Sequence, residues 1–455
     1  MNSLLQKYNV ASPRYTSYPT VPYWENTEHS LENWQNALKN AFWTSGREVS
    51  IYIHLPYCES LCTYCGCTTR ITTNHNVEEP YIDLIEKEWN LYLKTLPQKP
   101  ILRELHLGGG TPTFFSPKNL TRLITIFKSS CDIPNDTEWG FEGHPNNTTR
   151  EHLKTLKELG FNRVSFGIQD FDENVQKIIN RIQPYQKVVE CVATARELGF
   201  ESINFDLVYG LPLQNTETIH DTIQKTLELR PSRLAFYGYA HVPWLKPSQK
   251  KLESFLPSAD EKANLYAIGK KILTDEGYID IGMDHFALPT DSLLKASKNG
   301  SLHRNFMGYT TQSTSLSIGL GVSAISDTWT AFNQNEKNLK VYKEKVENNE
   351  FPFLRGHYLT KEDLVIRQHI LDLMCRYETS WNEEQFYEFG FGINFDLLET
   401  LKQDGLVEWK GNHLKITEKG KPYVRNVCMA FDVRLWNEKL NKEKLENKQM
   451  FSKIA

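Results

Sequence analysis

From about residue 50 the chain alternates short apolar, β-branched runs with longer amphipathic ones. The runs "SIYIHL" (50–55), "LRELHLGGG" (102–110), "EWGFEG" (138–143), "RVSFGIQ" (163–169), "SINFDLVYG" (202–210) and "RLAFYGYAH" (233–241) read as strands. Helical periodicity fills the gaps, near 78–96, 117–129, 149–159, 184–198, 215–229 and 258–276. Strands that each lead into a helix predict right-handed βαβ units, hence a parallel sheet with helices outside. Six units fall short of the eight of a complete barrel, so the expected α/β fold is a partial (β/α)6 TIM-like barrel closed by other segments.

Both ends of the chain break this alternation. "SPRYTSYPTVPYW" (12–24) is too rich in Pro, Tyr and Ser for a regular helix and predicts an ordered N-terminal arm lying on the main domain. After about residue 355, helical "TKEDLVIRQHILDLMCRY" precedes "FDLLETLKQDGL", then "VEWKGNHLKIT" reads as a hairpin with a Lys-Gly-Asn turn, and "EKGKPYVRNVCMAF" is helical again. That order predicts a smaller, mainly helical, winged-helix-like C-terminal domain, with the charge-rich segment from Asn437 to Ala455 as a surface helix. The expected division is therefore an arm over 1–40, a barrel with closing segments over 41–355 and a C-terminal domain over 356–455.

With 455 residues the chain has room for a large catalytic domain and smaller ones, and 40% hydrophobic, 24% charged residues is a globular balance. A net charge of −4 offers no general attraction to nucleic acid, so a winged helix here predicts a structural or substrate-covering part and no nucleic-acid partner. No basic segment leads into an apolar run at the N-terminus, and no run of about eighteen apolar residues occurs. A cytoplasmic protein without membrane insertion is expected.

Chemistry concentrates where strands end. In parallel α/β folds the C-terminal strand ends form the functional rim. Here those ends carry a cysteine cluster, "GGGTPT", Glu142 with His144, Gln169 with Asp170, and Asp206. The stretch "HLPYCESLCTYCGCTTR" (54–70) holds Cys58, Cys62, Cys65 and Cys67, half of the eight cysteines. In a reducing compartment such crowding suits metal ligands better than disulfides. Zinc usually draws on two separated Cys-x2-Cys knuckles, and no second knuckle exists. An iron–sulfur cubane suits three thiolates from one loop and leaves one iron open. Cys131, Cys191, Cys375 and Cys428 lie in apolar helical patterns and are expected in the core.

Cys-x3-Cys-x2-Cys after a first strand, with a glycine run after the second, resembles the radical S-adenosylmethionine (SAM) superfamily. Cys67, "PRYTSYPT" (13–20), "GIQDF" (167–171), "NFDLVYGLP" (204–212), "GMDHFA" (282–287), "HRNFMGYTTQ" (303–312) and "GVSAIS" (321–326) narrow this further. Together they resemble the oxygen-independent coproporphyrinogen III oxidase (dehydrogenase) family over essentially the whole chain. The resemblance implies oxidative decarboxylation of two propionates of coproporphyrinogen III to vinyl groups, giving protoporphyrinogen IX in heme biosynthesis. It implies one [4Fe–4S] cluster held by Cys58, Cys62 and Cys65, and a 5′-deoxyadenosyl radical made from SAM. No protein residue is assigned a catalytic part beyond these groups.

The same resemblance implies two SAM molecules. Tyr52, Gly109, Glu142 and Ile325 match the positions for the first; Tyr64, Gly110, Thr111, Gln169, Arg181, Asp206 and Ala240 match those for the second. This chain departs from common family usage with "EGHPNN" after Glu142, Tyr64 in place of Phe, and Ile182 where an acidic residue is frequent. Four propionates call for cations and donors, for which Arg14, Tyr15, His54, Arg304 and Gln312 are candidates. A reducing electron donor such as a flavodoxin-type protein is an expected partner, and a monomer the expected state. The alternatives are a radical-SAM-like heme chaperone, a heme-degrading methyltransferase and, from another class, a zinc-binding module.

Overall fold

The computed structural model describes residues 3–24, 30–382, 384 and 392–440. The chain divides into two compact units, one of Glu25–Tyr278 with Thr314–Tyr358, the other of Met1–Trp24, Ile279–Ser313 and Leu359–Ala455.

The first unit is the barrel. Strands β1 (Glu48–Leu55), β2 (Ile101–Gly109), β3 (Glu138–Gly143), β4 (Arg163–Gln169), β5 (Ser202–Tyr209) and β6 (Arg233–Gly238) lie side by side in that order, all parallel. The expected strands thus form within a few residues of their sequence limits. β5 stops short of Gly210, which takes a left-handed φ of 80°, and β6 ends at Gly238, before Pro243 can be reached. The crossover helices are α2 (Glu78–Thr95), α3 (Pro117–Ser130), α4 (Arg150–Glu158), α5 (Tyr185–Glu197), α6 (Thr216–Leu229) and α7 (Ala259–Asp275), with α1 (Leu31–Thr44) preceding β1. Polar caps start several of them: Ser116 accepts from Asn119 N, and Thr149 and Ser258 form capping boxes.

On the other side of β1, strand β7 (Ser317–Leu320) pairs parallel, and β8 (Ile325–Asp327), β9 (Ala331–Asn335) and β10 (Phe353–Tyr358) follow antiparallel, with α8 (Leu339–Glu347) between the last two. These are the closing segments. The turn after β7 is fixed by a buried carboxyl: Glu88 of α2 accepts from Gly321 N (2.8 Å), Asn335 Nδ2 (2.6 Å) and Tyr342 Oη (2.6 Å).

Strand periodicity decides what faces inward. In β4, Val164, Phe166 and Ile168 are buried while Arg163, Ser165, Gly167 and Gln169 alternate with them and are more open. Apolar residues thus pack under the helices, and the barrel interior is left to polar ones.

The second unit gathers three separated segments. Helix Lys361–Arg376, helix Phe395–Gln403 and the hairpin Val407–Lys410/His413–Ile416, extended by Glu378–Ser380, give the helix-and-wing arrangement. The helical run after the hairpin becomes a 3-10 turn, Lys421–Tyr423, and helix Val424–Met429. Cys375 and Cys428 are buried here, as Cys131 and Cys191 are in the barrel unit.

Two expectations need correction. The arm packs on the C-terminal segment: Tyr8, Tyr15 and Tyr18 join its core, Arg425 donates to Pro13 O (2.9 Å) and Tyr15 Oη to Asp432 (3.1 Å). Residues 279–313 join that unit as well, where Tyr309 Oη donates to Met374 O (2.6 Å). A buried guanidinium and phenols that need acceptors draw these pieces together, so the boundaries at 40/41 and 355/356 do not match the units. Of the surface helix expected over Asn437–Ala455 only 437–440 are described, as the end of a helix Val433–Leu440; residues 441–455 lie outside the described ones.

Candidate active site at the barrel rim

The cysteine loop leaves β1 at its C-terminal end. It is closed by a two-residue parallel ladder, Tyr57–Cys58 against Arg70–Ile71, with Arg70 N donating to Pro56 O at 2.7 Å. Each of the three predicted thiols has its own donor: Thr111 Oγ1 to Cys58 Sγ (3.4 Å), Arg181 Nη1 to Cys62 Sγ (3.6 Å) and Cys67 N to Cys65 Sγ (3.4 Å). Donors aimed at sulfur are what ligating thiolates accept. Among the described residues no three His, Cys, Asp or Glu side chains gather around one point. Thiols spread along one loop suit the separate corners of a [4Fe–4S] cubane.

Beside the loop, the glycine run ends β2. Gly109 takes a φ of 109°, and a Cβ there would stand 2.6 Å from the His54 ring; at Gly110 it would stand 2.7 Å from the Pro56 backbone. Only glycine lets β2 pass this close to the cysteine loop. Gly109 N donates to Glu142 Oε2 (3.1 Å), and the His106 ring faces the other carboxylate oxygen at 3.6 Å. Burial raises the Glu142 carboxyl, but the hydrogen bonds and charge of His106 and the Gly109 N–H outweigh it, so the acid is held below its ordinary value.

Tyr52 stacks on His106 at 6.2 Å and approaches His54 Nδ1 with its hydroxyl at 3.2 Å. His54 Nε2 lies 2.8 Å from Thr68 O, a pure acceptor, so Nε2 carries the proton and Nδ1 accepts from Tyr52. Burial pulls the His54 pKa down and keeps the ring neutral. Tyr52 pairs with Gly319 of β7, and a Cβ at Gly319 would stand among the backbone atoms of Ile325. Tyr52, Gly109, Glu142 and Ile325 are therefore neighbours in a single patch.

The second set adjoins the first along the cysteine loop and the neighbouring strands. Gln169 ends β4 in a left-handed conformation (φ 69°), and its amide and Arg181 Nη2 both crowd Gly167. Arg181 donates to Gly167 O and Cys62 Sγ, while its Nε is buried with no hydrogen bond within the chain. An orphaned guanidinium donor beside a glycine strand end suits an anionic ligand group. Asp206 accepts from Ser165 (2.8 Å) and Asn204 (2.9 Å); burial pushes its carboxyl up to about 6. Tyr64 and Ala240 are joined through one amide, Gln249 Nε2, which donates to both of their carbonyls at 2.8 and 3.4 Å.

All the predicted cofactor and cluster residues thus fall on one rim of the barrel unit. Of the propionate candidates only His54 is in that unit; Arg14, Tyr15, Arg304 and Gln312 belong to the other. There Arg304 lies over the Tyr309 ring at 4.9 Å and donates to Arg14 O, and Tyr15 is committed to Asp432. Sequence reasoning missed His106, Ser165, Asn204 and Gln249. The first three could have been found, since each is a polar residue at an inward strand position.

The Radical SAM superfamily matches residues 52–226. An oxygen-independent coproporphyrinogen III oxidase of Synechocystis is 38% identical over 99% of this chain and 97% of its own length. One from Escherichia coli is 37% identical over 95% of each chain. The solved structure described as coproporphyrinogen III oxidase from Escherichia coli, a radical SAM enzyme, superposes with a TM-score of 0.88 at 36% identity, covering 92% of this chain and 97% of that one.

Proposed function

Because the chain belongs to the oxygen-independent coproporphyrinogen III oxidases of the radical SAM superfamily, we propose that its rim binds two SAM molecules beside one cluster. The chain is a heme-biosynthesis enzyme that converts coproporphyrinogen III to protoporphyrinogen IX by oxidative decarboxylation. Family membership carries a [4Fe–4S] cluster and SAM, which supply a radical able to take hydrogen from an unactivated carbon. Each propionate then becomes a vinyl group by losing one hydrogen atom, CO2 and one electron.

In this reading Cys58, Cys62 and Cys65 hold the cluster, and the donor on each sulfur supports it. Glu142, kept ionised, accepts from the first cofactor, with Tyr52, Gly109 and Ile325 shaping its pocket. Arg181 offers its spare Nε–H to a carboxylate of the second. Asp206 and Gln169 suit hydroxyl or amino groups, Gly110 and Thr111 let a ligand approach the backbone, and Tyr64 and Ala240 border it. Cys67 is left outside the cluster. The remaining proposals are a monomeric cytoplasmic protein served by a small reducing donor of the flavodoxin type; among the described residues no helix is long and apolar enough to cross a membrane.

The observation that carries the site assignment is the meeting of three separately capped thiols with the Gly109–Gly110 close approach. Anaerobic reconstitution with iron and sulfide, then dithionite and labelled SAM, tests it. Two equivalents of bound SAM, 5′-deoxyadenosine, and loss of two CO2 per coproporphyrinogen III are expected. One bound equivalent at saturation overturns the two-molecule pocket.

A further inference from the structure

The loop from β6 to α7 reaches back over the cysteine loop and holds it by its backbone. Lys246 Nζ donates to Cys67 O at 2.6 Å, Ser248 Oγ to Thr63 O at 3.2 Å, and Gln249 Nε2 to Tyr64 O at 2.8 Å. Gln249 is 1% exposed, and its amide is used on both sides: the nitrogen also meets Ala240 O at 3.4 Å, and the oxygen accepts from Val242 N at 2.7 Å. On the opposite side, Thr63 N donates to Ile179 O (3.0 Å) and Asn180 Nδ2 to Leu61 O (2.7 Å). The cysteine loop, short of regular structure of its own, is gripped between two loops that follow β4 and β6.

We propose that Gln249 is a positioning residue that sets the spacing between the cysteine loop and the end of β6, with Lys246 and Ser248 completing a clamp on that loop's carbonyls. The argument is one of satisfaction. A buried amide with both ends bonded cannot shift without orphaning Tyr64 O or Val242 N, so Cys62 and Cys65, which flank the held residues, inherit its rigidity. Lys246 adds a charge. An ammonium bonded within the cysteine loop favours the more negative, reduced state of whatever the thiols hold. The proposal rests on the cluster reading above.

The test compares reconstituted wild type with Gln249→Leu, Lys246→Met and Lys246→Arg. Under anaerobic conditions a strong chelator should strip iron about five- to tenfold faster from Gln249→Leu, and the KM for SAM should rise more than kcat falls, because Tyr64 and Ala240 are no longer held together. Lys246→Met should release iron two- to threefold faster and shift the reduction equilibrium about threefold toward the oxidised state, with Lys246→Arg restoring both. Lys246 is only half-buried, unlike Gln249, so its replacement perturbs the fold less and that pair decides if Gln249→Leu does not fold. Wild-type release rates and an unchanged reduction midpoint in these variants would overturn the clamp. A wild-type protein that takes up no iron would strike the cluster reading instead.

Discussion

Glu88 makes a pH prediction whose sign runs against the usual one for carboxylates. The side chain is fully buried, and its carboxylate is met by Gly321 N, Asn335 Nδ2 and Tyr342 Oη. Burial outweighs those three donors, so its carboxyl is pushed up from 4.5 to about 7. The folded state therefore holds this proton more tightly than the unfolded chain. The stability it confers is complete below pH 4.5 and is lost as pH rises toward about 7. At ~1.36 kcal/mol per pH unit, the gap between 4.5 and 7 amounts to about 3 kcal/mol. Glu88→Gln keeps the shape and removes the titration, at the cost of turning one acceptor into a donor among donors, ~1 kcal/mol. Wild type should be the more stable at pH 5 by only about 0.3 kcal/mol, since most of the ~1 kcal/mol cost of the amide is already offset there, and the variant the more stable at pH 8.5 by about 2 kcal/mol. Asp170 and Asp206 are also pushed up, to about 6, but are common to both proteins and cancel. Urea or thermal midpoints of the iron-free proteins at the two pH values read the difference. Parallel profiles, with no crossing between pH 5 and 8.5, would refute the account of Glu88 as a buried acid that is charged only at a cost.

Three further outcomes follow from the rim. Serine at Cys58, Cys62 or Cys65 should abolish iron uptake on reconstitution, whereas Cys67→Ser should keep it, as measured by iron and sulfide content. Gly109→Ala forces a Cβ to within 2.6 Å of the His54 ring at a φ of 109°; about 2–4 kcal/mol of lost stability is expected, seen as a lower melting midpoint. Because Asp206 is pushed up to about 6, SAM affinity at the proposed second position should weaken as pH falls from 7 to 5 and its carboxylate is neutralised; Asp206→Asn should bind more weakly at pH 7 and lose that pH dependence in equilibrium dialysis.

The barrel was legible because each βα unit writes two periods into the chain. Alternation in "RVSFGIQ" and the amphipathic run at 184–198 are imposed by burial on one side only, and burial is what sequence records best. Domain organisation was less so. Residues 279–313 sit between barrel segments in sequence yet join the arm and the C-terminal segment, because Tyr309 finds its acceptor at Met374 O and Arg425 finds two at Ser12 O and Pro13 O. Such pairings link positions up to 413 apart and leave no local period to read.

The site divides along the same line. Glu142, Gln169 and Asp206 are polar residues in or at the end of strands, so their type and place both marked them as candidates; Arg181, well beyond the end of β4, came from the resemblance alone, which also sorted the four into proposed pockets. What joins those residues is a different kind of contact. Gln249 grips Tyr64 and Ala240 by their carbonyls, Lys246 grips Cys67 by its carbonyl, and His54 donates to the carbonyl of Thr68. Every residue carries a carbonyl, so the held position tolerates any side chain and leaves no mark of being held. A lone Gln in "KPSQKKLESF" equally gives no hint of its partner 185 positions earlier. The residues proposed to touch ligands are thus visible in this sequence, while those that hold the loops bearing them become visible only when the backbone is in place.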